Sequence, residues 1–134
     1  MKEVLKKKGY KITPARMAIL EIFSKSQSPL DAESVYKKLK KMQKNINEVT
    51  VYRTLSSFTS EGILKRIDLR KNSTYFELID KHHHHIVCTN CDTVEDFENG
   101  EVEKILGKIV TKLSKFKRIR EHSLELFGLC VKCT

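Results

Sequence analysis

All four cysteines of this 134-residue chain fall into two Cys-x-x-Cys pairs, Cys88/Cys91 and Cys130/Cys133, and four consecutive histidines, His82 to His85, precede the first pair. A two-residue spacer lets both sulfurs of a pair reach one ion, so four thiolates at this spacing suit a single tetrahedral zinc. Such a site leaves no position open for water or substrate, which makes it structural and not catalytic. A dithiol redox pair would instead sit on a thioredoxin-like βαβ unit, and the pattern here has none. The histidines offer neutral imidazoles to further metals.

The histidine run is predicted to lie in a strand, 82–88. Alternate side chains of a strand point to opposite faces, so His82 and His84 leave one side and His83 and His85 the other. One run in sequence is therefore two pairs in space, each needing two or three more ligands. The nearby residues with carboxylate or imidazole groups are Glu77, Asp96, Glu103 and His122. The plain competing explanations are a solvated polar strand and an expression tag, although tags are terminal and usually longer.

The elements that must position these groups fall into two predicted domains, 1–79 and 80–134, with a hinge at Asp80-Lys81. Lys2, Lys6, Lys7 and Lys8 crowd the start and end at Gly9, a natural helix stop. Thr13-Pro14 reads as a cap and first helical residue, followed by the apolar stripe Ile19, Leu20, Ile22 and Phe23. Asp31 is expected to cap a second helix to Lys41, with Val35, Tyr36 and Leu39 inward. Asn47 is expected to cap a third, from about Glu48 to Glu61, with Val51, Leu55 and Phe58 inward and Gly62 closing it. Two β-type runs, Ile63–Leu69 and Ser73–Leu78, are joined by the basic turn Arg70-Lys71-Asn72.

Helices followed by a hairpin make a winged-helix pattern, with the third helix in the major groove and the hairpin on the backbone. That helix carries Thr50, Tyr52, Arg53, Thr54, Ser56 and Ser57, all able to contact phosphates or base edges. A net charge of +9 and a pI near 9.4 point to a polyanion, most simply double-stranded DNA. A generally lysine-rich surface is the bland alternative. Beyond the hinge the pattern predicts a return strand 93–97, a helix from about Glu101 to Leu113 and a strand Arg118–Phe127. No apolar run approaches the ~20 residues of a membrane span, and no signal-peptide pattern opens the chain. The expectation is a cytoplasmic protein, in which paired cysteines favour metal over disulfides.

Taken together, Thr13-Pro14-Ala15-Arg16, Ala32-Glu33-Ser34-Val35-Tyr36, Thr50-Val51-Tyr52-Arg53-Thr54-Leu55, Gly62-Ile63-Leu64, His82 through Cys91 and His122 through Cys130 resemble the ferric uptake regulator (Fur) superfamily of bacterial metal-dependent transcription factors. The resemblance runs nearly end to end. It implies an α+β protein with an N-terminal winged-helix DNA-binding domain and a small C-terminal α/β dimerisation domain. The homodimer would hold two reading helices at the spacing of an A/T-rich palindromic operator, with no membrane and no small-molecule substrate as partner. By likeness, Tyr52 and Arg53 sit on the reading helix, and Arg16 belongs to the basic DNA-facing set; Thr50 on that helix and Arg70 and Lys71 in the hairpin turn complete the expected DNA contacts. Cys88, Cys91, Cys130 and Cys133 match the structural zinc site. Glu77, His83, His85 and Asp96 match the regulatory hinge site, and His82, His84, Glu103 and His122 a second site in the dimerisation domain.

One departure bears on the hinge site. Many family members supply it a histidine from the loop before the second helix; here that position is Pro29, which has no ligand atom. Imidazoles mixed with carboxylates suit Fe2+, Mn2+ or Zn2+. The zinc-uptake branch usually places a cysteine in the hinge, and all four here are used. Asp96 resembles the peroxide-sensing branch, but Pro29 replaces one of the histidines that would be oxidised, and Arg53 fits the iron- and zinc-responsive branches. The expected function is an iron(II)-responsive repressor, with manganese, peroxide or zinc sensing as alternatives. The rivals from other classes are a zinc hydrolase or deaminase and a zinc-ribbon interaction module. No His-x-Glu with Pro-Cys-x-x-Cys, nor any other catalytic signature, appears.

Overall fold

The computed structural model describes residues 2–79 and 83–134, so the expected hinge at Asp80-Lys81, and His82, lie outside the described residues. The chain divides into two compact units, Met1–Lys81 and His82–Thr134.

In the first unit, α1 (Lys2–Lys7) ends at Gly9, whose φ of +75° a side chain would resist. Thr13 caps α2 (Pro14–Lys25), its hydroxyl accepting from the Arg16 amide at 3.2 Å. Asp31 ends the two-residue strand β1 (Leu30–Asp31) and caps α3 (Ala32–Lys41), accepting from the Ser34 amide at 2.9 Å. Asn47 caps α4 (Glu48–Ser60) through the Thr50 amide at 2.8 Å. The strands β2 (Leu64–Ile67) and β3 (Tyr75–Leu78) form an antiparallel hairpin, and β1 adds to β3 to give the order β1-β3-β2. Ile19, Phe23, Val35, Leu39, Val51, Leu55, Phe58 and Leu64 meet in one core. This is the winged-helix arrangement. Both hairpin strands are shorter than their β-type runs, and β1 has no counterpart among those runs, because two residues carry no readable alternation.

In the second unit, β4 (His84–Cys88) pairs antiparallel with β5 (Val94–Phe97) and parallel with β6 (Glu125–Gly128), in the order β5-β4-β6. Between β5 and β6 runs α5 (Gly100–Thr111), capped by Asn99. The expected strand Arg118–Phe127 is corrected to the four residues of β6. Among the described residues β4 starts at His84 and its pairing with β6 starts at His85↔Glu125, so a longer β6 has no partner. No residue of α5 is buried, and Ile105, Ile109 and Leu113 stay about half exposed. Among the described residues no helix is long and apolar enough to cross a membrane.

Candidate functional site

The ends of β4 and β6 bring the two cysteine pairs together. Cys88 closes β4, a turn carries Cys91, and Cys130 and Cys133 follow β6. All four sulfurs lie within 4.8 Å of one another, none in a disulfide. Cys91 Sγ and Cys130 Sγ are 3.7 Å apart. Zinc–sulfur bonds of about 2.3 Å at tetrahedral angles require about 3.8 Å, so the set fits a zinc ion. The amides of Cys130, Cys91 and Asn90 hydrogen-bond the Cys88 sulfur and hold its thiol down at about 6. Thr93 lowers Cys91 in the same way, through a 3.1 Å contact. Asn90 donates to Cys133 at 3.3 Å and favours its thiolate, but Cys130, Cys91 and Cys88 crowd it and burial adds to them, and together they push it up to about 11. Four thiols in this cluster are not all charged together without a cation; a bound zinc would supply that charge.

Strand alternation separates the histidines. His83 and His85 meet edge to face at 4.9 Å, with His83 Nε2 3.5 Å from one oxygen of Asp96 and His85 Nε2 3.7 Å from the other. His84 points the other way, against Phe97 and His122. Its Nε2 is 2.8 Å from Glu103 Oε1, and His122 Nε2 is 3.0 Å from Oε2, so two imidazoles share one carboxylate. Both clusters have the donor set of a divalent-metal site. Of the expected second-site residues, His82 alone lies outside the described residues. Glu77 is on β3 of the first unit, 4% exposed, with Lys65 Nζ at 3.2 Å from across the hairpin.

On α4, Tyr52, Arg53, Ser56 and Ser57 are exposed and Thr50 is half-buried. Thr54 is corrected: it is 8% exposed and belongs with Val51, Leu55 and Phe58 on the core face. Arg16 donates to the Lys11 carbonyl at 2.7 Å and lies 4.9 Å over the Tyr10 ring. Tyr10 in turn packs on Phe58 and donates to the Ser57 carbonyl at 2.9 Å, fastening the N-terminal segment to α4. Arg70 and Lys71 sit in the hairpin turn, with Lys71 over Tyr75. The whole charge of +9 resides in residues 1–81, which hold 18 Lys and Arg against 9 Asp and Glu; residues 82–134 hold 8 of each.

Sequence reasoning missed Tyr10, Lys65 and Glu125. Glu125 lies 3.8 Å from His85 Nδ1. No local pattern marks any of the three; strand register and packing bring them to the site.

Residues 7–127 match the model of the Ferric uptake regulator family. The chain is 41% identical over 131 residues to the ferric uptake regulation protein of Bordetella parapertussis, covering 96% of this chain and 93% of that protein. It is 32% identical over 132 residues to the peroxide operon regulator of Bacillus subtilis, covering 98% and 90%. Among solved structures it matches the ferric uptake regulator of Pseudomonas aeruginosa with manganese at a TM-score of 0.84, with 30% identity and 98% of both chains covered.

Proposed function

The chain belongs to the ferric uptake regulator family and is a metal-responsive, DNA-binding, dimeric transcriptional regulator; from that premise we propose that it is a cytoplasmic repressor sensing iron(II) at an A/T-rich palindromic operator. The observation that carries the reading is the convergence of His83 and His85 on the two oxygens of Asp96. Two imidazoles on one carboxylate are a ready half of a divalent-metal site. Glu77, buried on wing strand β3, is the fourth proposed ligand.

Each side chain has a defined task in this reading. Glu77 belongs to the wing, whereas His83, His85 and Asp96 belong to the second unit, so a ligand set drawing on all four couples DNA reading to dimerisation. When bound, iron(II) supplies the charge and the directional demand that favour one arrangement of these ligands. Cys88, Cys91, Cys130 and Cys133 hold a structural zinc, and His82, His84, Glu103 and His122 form a second site. On the DNA side, Tyr52, Arg53 and Thr50 read from α4, while Arg16, Arg70 and Lys71 take the phosphates. Pro29 contributes no ligand, so the hinge relies on its four remaining residues. A peroxide-responsive variant of the same mechanism is favoured by one feature, Asp96, and would show as oxidation of His83 or His85 after peroxide treatment.

The test is anaerobic fluorescence anisotropy on protein that retains its structural zinc, comparing iron(II), manganese(II) and zinc at controlled free concentrations. Coupling energies of about 1–3 kcal/mol predict roughly 5–150-fold tighter operator binding with iron(II). The double variant His83→Ala/His85→Ala loses that stimulation and keeps its fold. Undiminished metal dependence in the variant would sink the hinge assignment, and stronger stimulation by manganese(II) would replace the metal.

A further inference from the structure

We propose that Glu125 is a positioning residue for His85: its carboxylate takes the Nδ1 hydrogen of that imidazole and so leaves the Nε2 lone pair facing His83 and Asp96. The inference rests on His85 being a ligand of the regulatory metal, and it adds a residue that family likeness did not assign.

Three adjacent strands carry it. Asp96 on β5, His85 on β4 and Glu125 on β6 are register partners, so they form one row across the sheet on one face. His85 is 1% exposed in the middle of that row. Its two ring nitrogens face different carboxylates, Nε2 toward Asp96 Oδ1 at 3.7 Å and Nδ1 toward Glu125 Oε1 at 3.8 Å. The Nε2 atom of His83 also faces Asp96, at 3.5 Å. The Nε2 atoms therefore converge on one side of the His85 ring, and Glu125 stands on the other. That placement separates Glu125 from the ligand set and puts it behind a ligand.

A neutral imidazole has one donor and one acceptor nitrogen, and an ionised carboxylate only accepts. A carboxylate behind Nδ1 therefore favours the Nδ1–H form, which ligates through Nε2, against the opposite preference that Asp96 sets at Nε2. The Glu125 side chain is 14% exposed and is held by the Ser123 hydroxyl, 2.8 Å from Oε2 and 3.1 Å from Oε1. Its 3.8 Å separation from Nδ1 is about 1 Å longer than a hydrogen bond. A small rotation of either side chain closes it. Ligating histidines commonly use this outer partner, and its loss typically weakens metal binding by about 10–100-fold.

The experiment compares wild type, Glu125→Ala, Glu125→Gln and His85→Ala, each with its structural zinc. It reads iron(II) affinity by chelator competition, and the His85 tautomer by nitrogen-15 NMR without regulatory metal at about pH 9, well above the ordinary imidazole range. Expected are a larger Nδ1–H fraction in wild type than in Glu125→Ala, and a roughly 10–100-fold weaker affinity in that variant. In Glu125→Gln most of the affinity returns, because an amide oxygen also accepts from Nδ1. Unchanged tautomer and affinity in Glu125→Ala overturn the proposal. Equal losses in both Glu125 variants, down to the level of His85→Ala, also overturn it and make Glu125 a ligand. Full affinity in His85→Ala fails the hinge reading instead, and the tautomer alone then decides what Glu125 does. If Glu125→Ala does not fold, Ser123→Ala releases the same carboxylate, and a smaller loss in the same direction is expected; no loss there counts against the proposal.

Discussion

A buried carboxylate on a wing strand needs a counter-charge, and Lys65 supplies one to Glu77 at 3.2 Å from the facing strand. If Glu77 ligates the regulatory metal, the Lys65 ammonium competes for the same oxygen. Lys65 is about a third exposed, so the pair is worth about 1 kcal/mol. Lys65→Met is therefore expected to tighten metal binding by roughly fivefold while lowering the melting temperature of the protein without regulatory metal. Calorimetric titration and a thermal scan measure the two; weaker metal binding in Lys65→Met would make Lys65 a support for the site and not a competitor. The cysteines behave differently, because their four thiols are not all charged together without a cation. Cys88→Ser or Cys130→Ser should lose zinc by elemental analysis and unfold the second unit, since binding and folding free energy are one quantity in such sites. A zinc-free variant with an intact second unit would contradict a structural role.

Helix ends were the most legible elements. Thr13-Pro14, Asp31 and Asn47 each combine a short side-chain acceptor with a following apolar stripe, and each caps the helix it was expected to cap. Asp31 gives a quantitative test. Burial pushes its carboxyl up, but hydrogen bonds from the Ser34 amide and hydroxyl and from Ser73 outweigh it and hold the group below its ordinary value. Its folded pKa is depressed, so its contribution is complete above its unfolded pKa of about 3.9 and fades as pH falls through the folded one. Asp31→Ala should cost about 1 kcal/mol at neutral pH, and the two proteins should converge in urea melts at strongly acidic pH. A gap that persists there would place the effect in packing. What the sequence hid has physical reasons too. The hydroxyl of Thr54 suits a DNA contact by type, but 51, 54, 55 and 58 are the inward stripe of a 3.6-residue helix. The expected strand begins at Arg118, yet β6 finds its partner on β4 only from Glu125. The parity of His83, His84 and His85 was readable because it is local. The approach of Glu125 to His85 depends on a parallel pairing between strands nearly forty residues apart, which no local pattern encodes.

The two demands that the proposed palindromic operator would make fall on different units. All of the net charge is in residues 1–81, and the uncovered apolar helix face is in residues 82–134. The electrostatic demand predicts that log affinity falls with log salt by about 0.9 for each phosphate neutralised. Arg70→Ala or Lys71→Ala should each lower that slope by about one contact. The demand for twofold symmetry points to α5. Ile105 and Ile109 recur at helical spacing, stand 56% and 50% exposed, and continue into Leu113 and Phe116 at 49% and 66%. A helix without one buried residue takes little apolar support from its own unit. In a dimeric regulator the second copy is the natural cover, and burying these side chains supplies its apolar driving force. Ile105→Glu/Ile109→Glu should therefore sediment as a monomer with its structural zinc retained. It should keep the salt-dependent, weak affinity for any duplex that the charged unit provides, and lose the tighter, metal-stimulated affinity for a palindrome. Sedimentation velocity paired with anisotropy on palindromic and scrambled duplexes reads all of these. A double variant that remains dimeric would move the interface off α5, and a monomer with undiminished preference for the palindrome would break the link between symmetry and specificity.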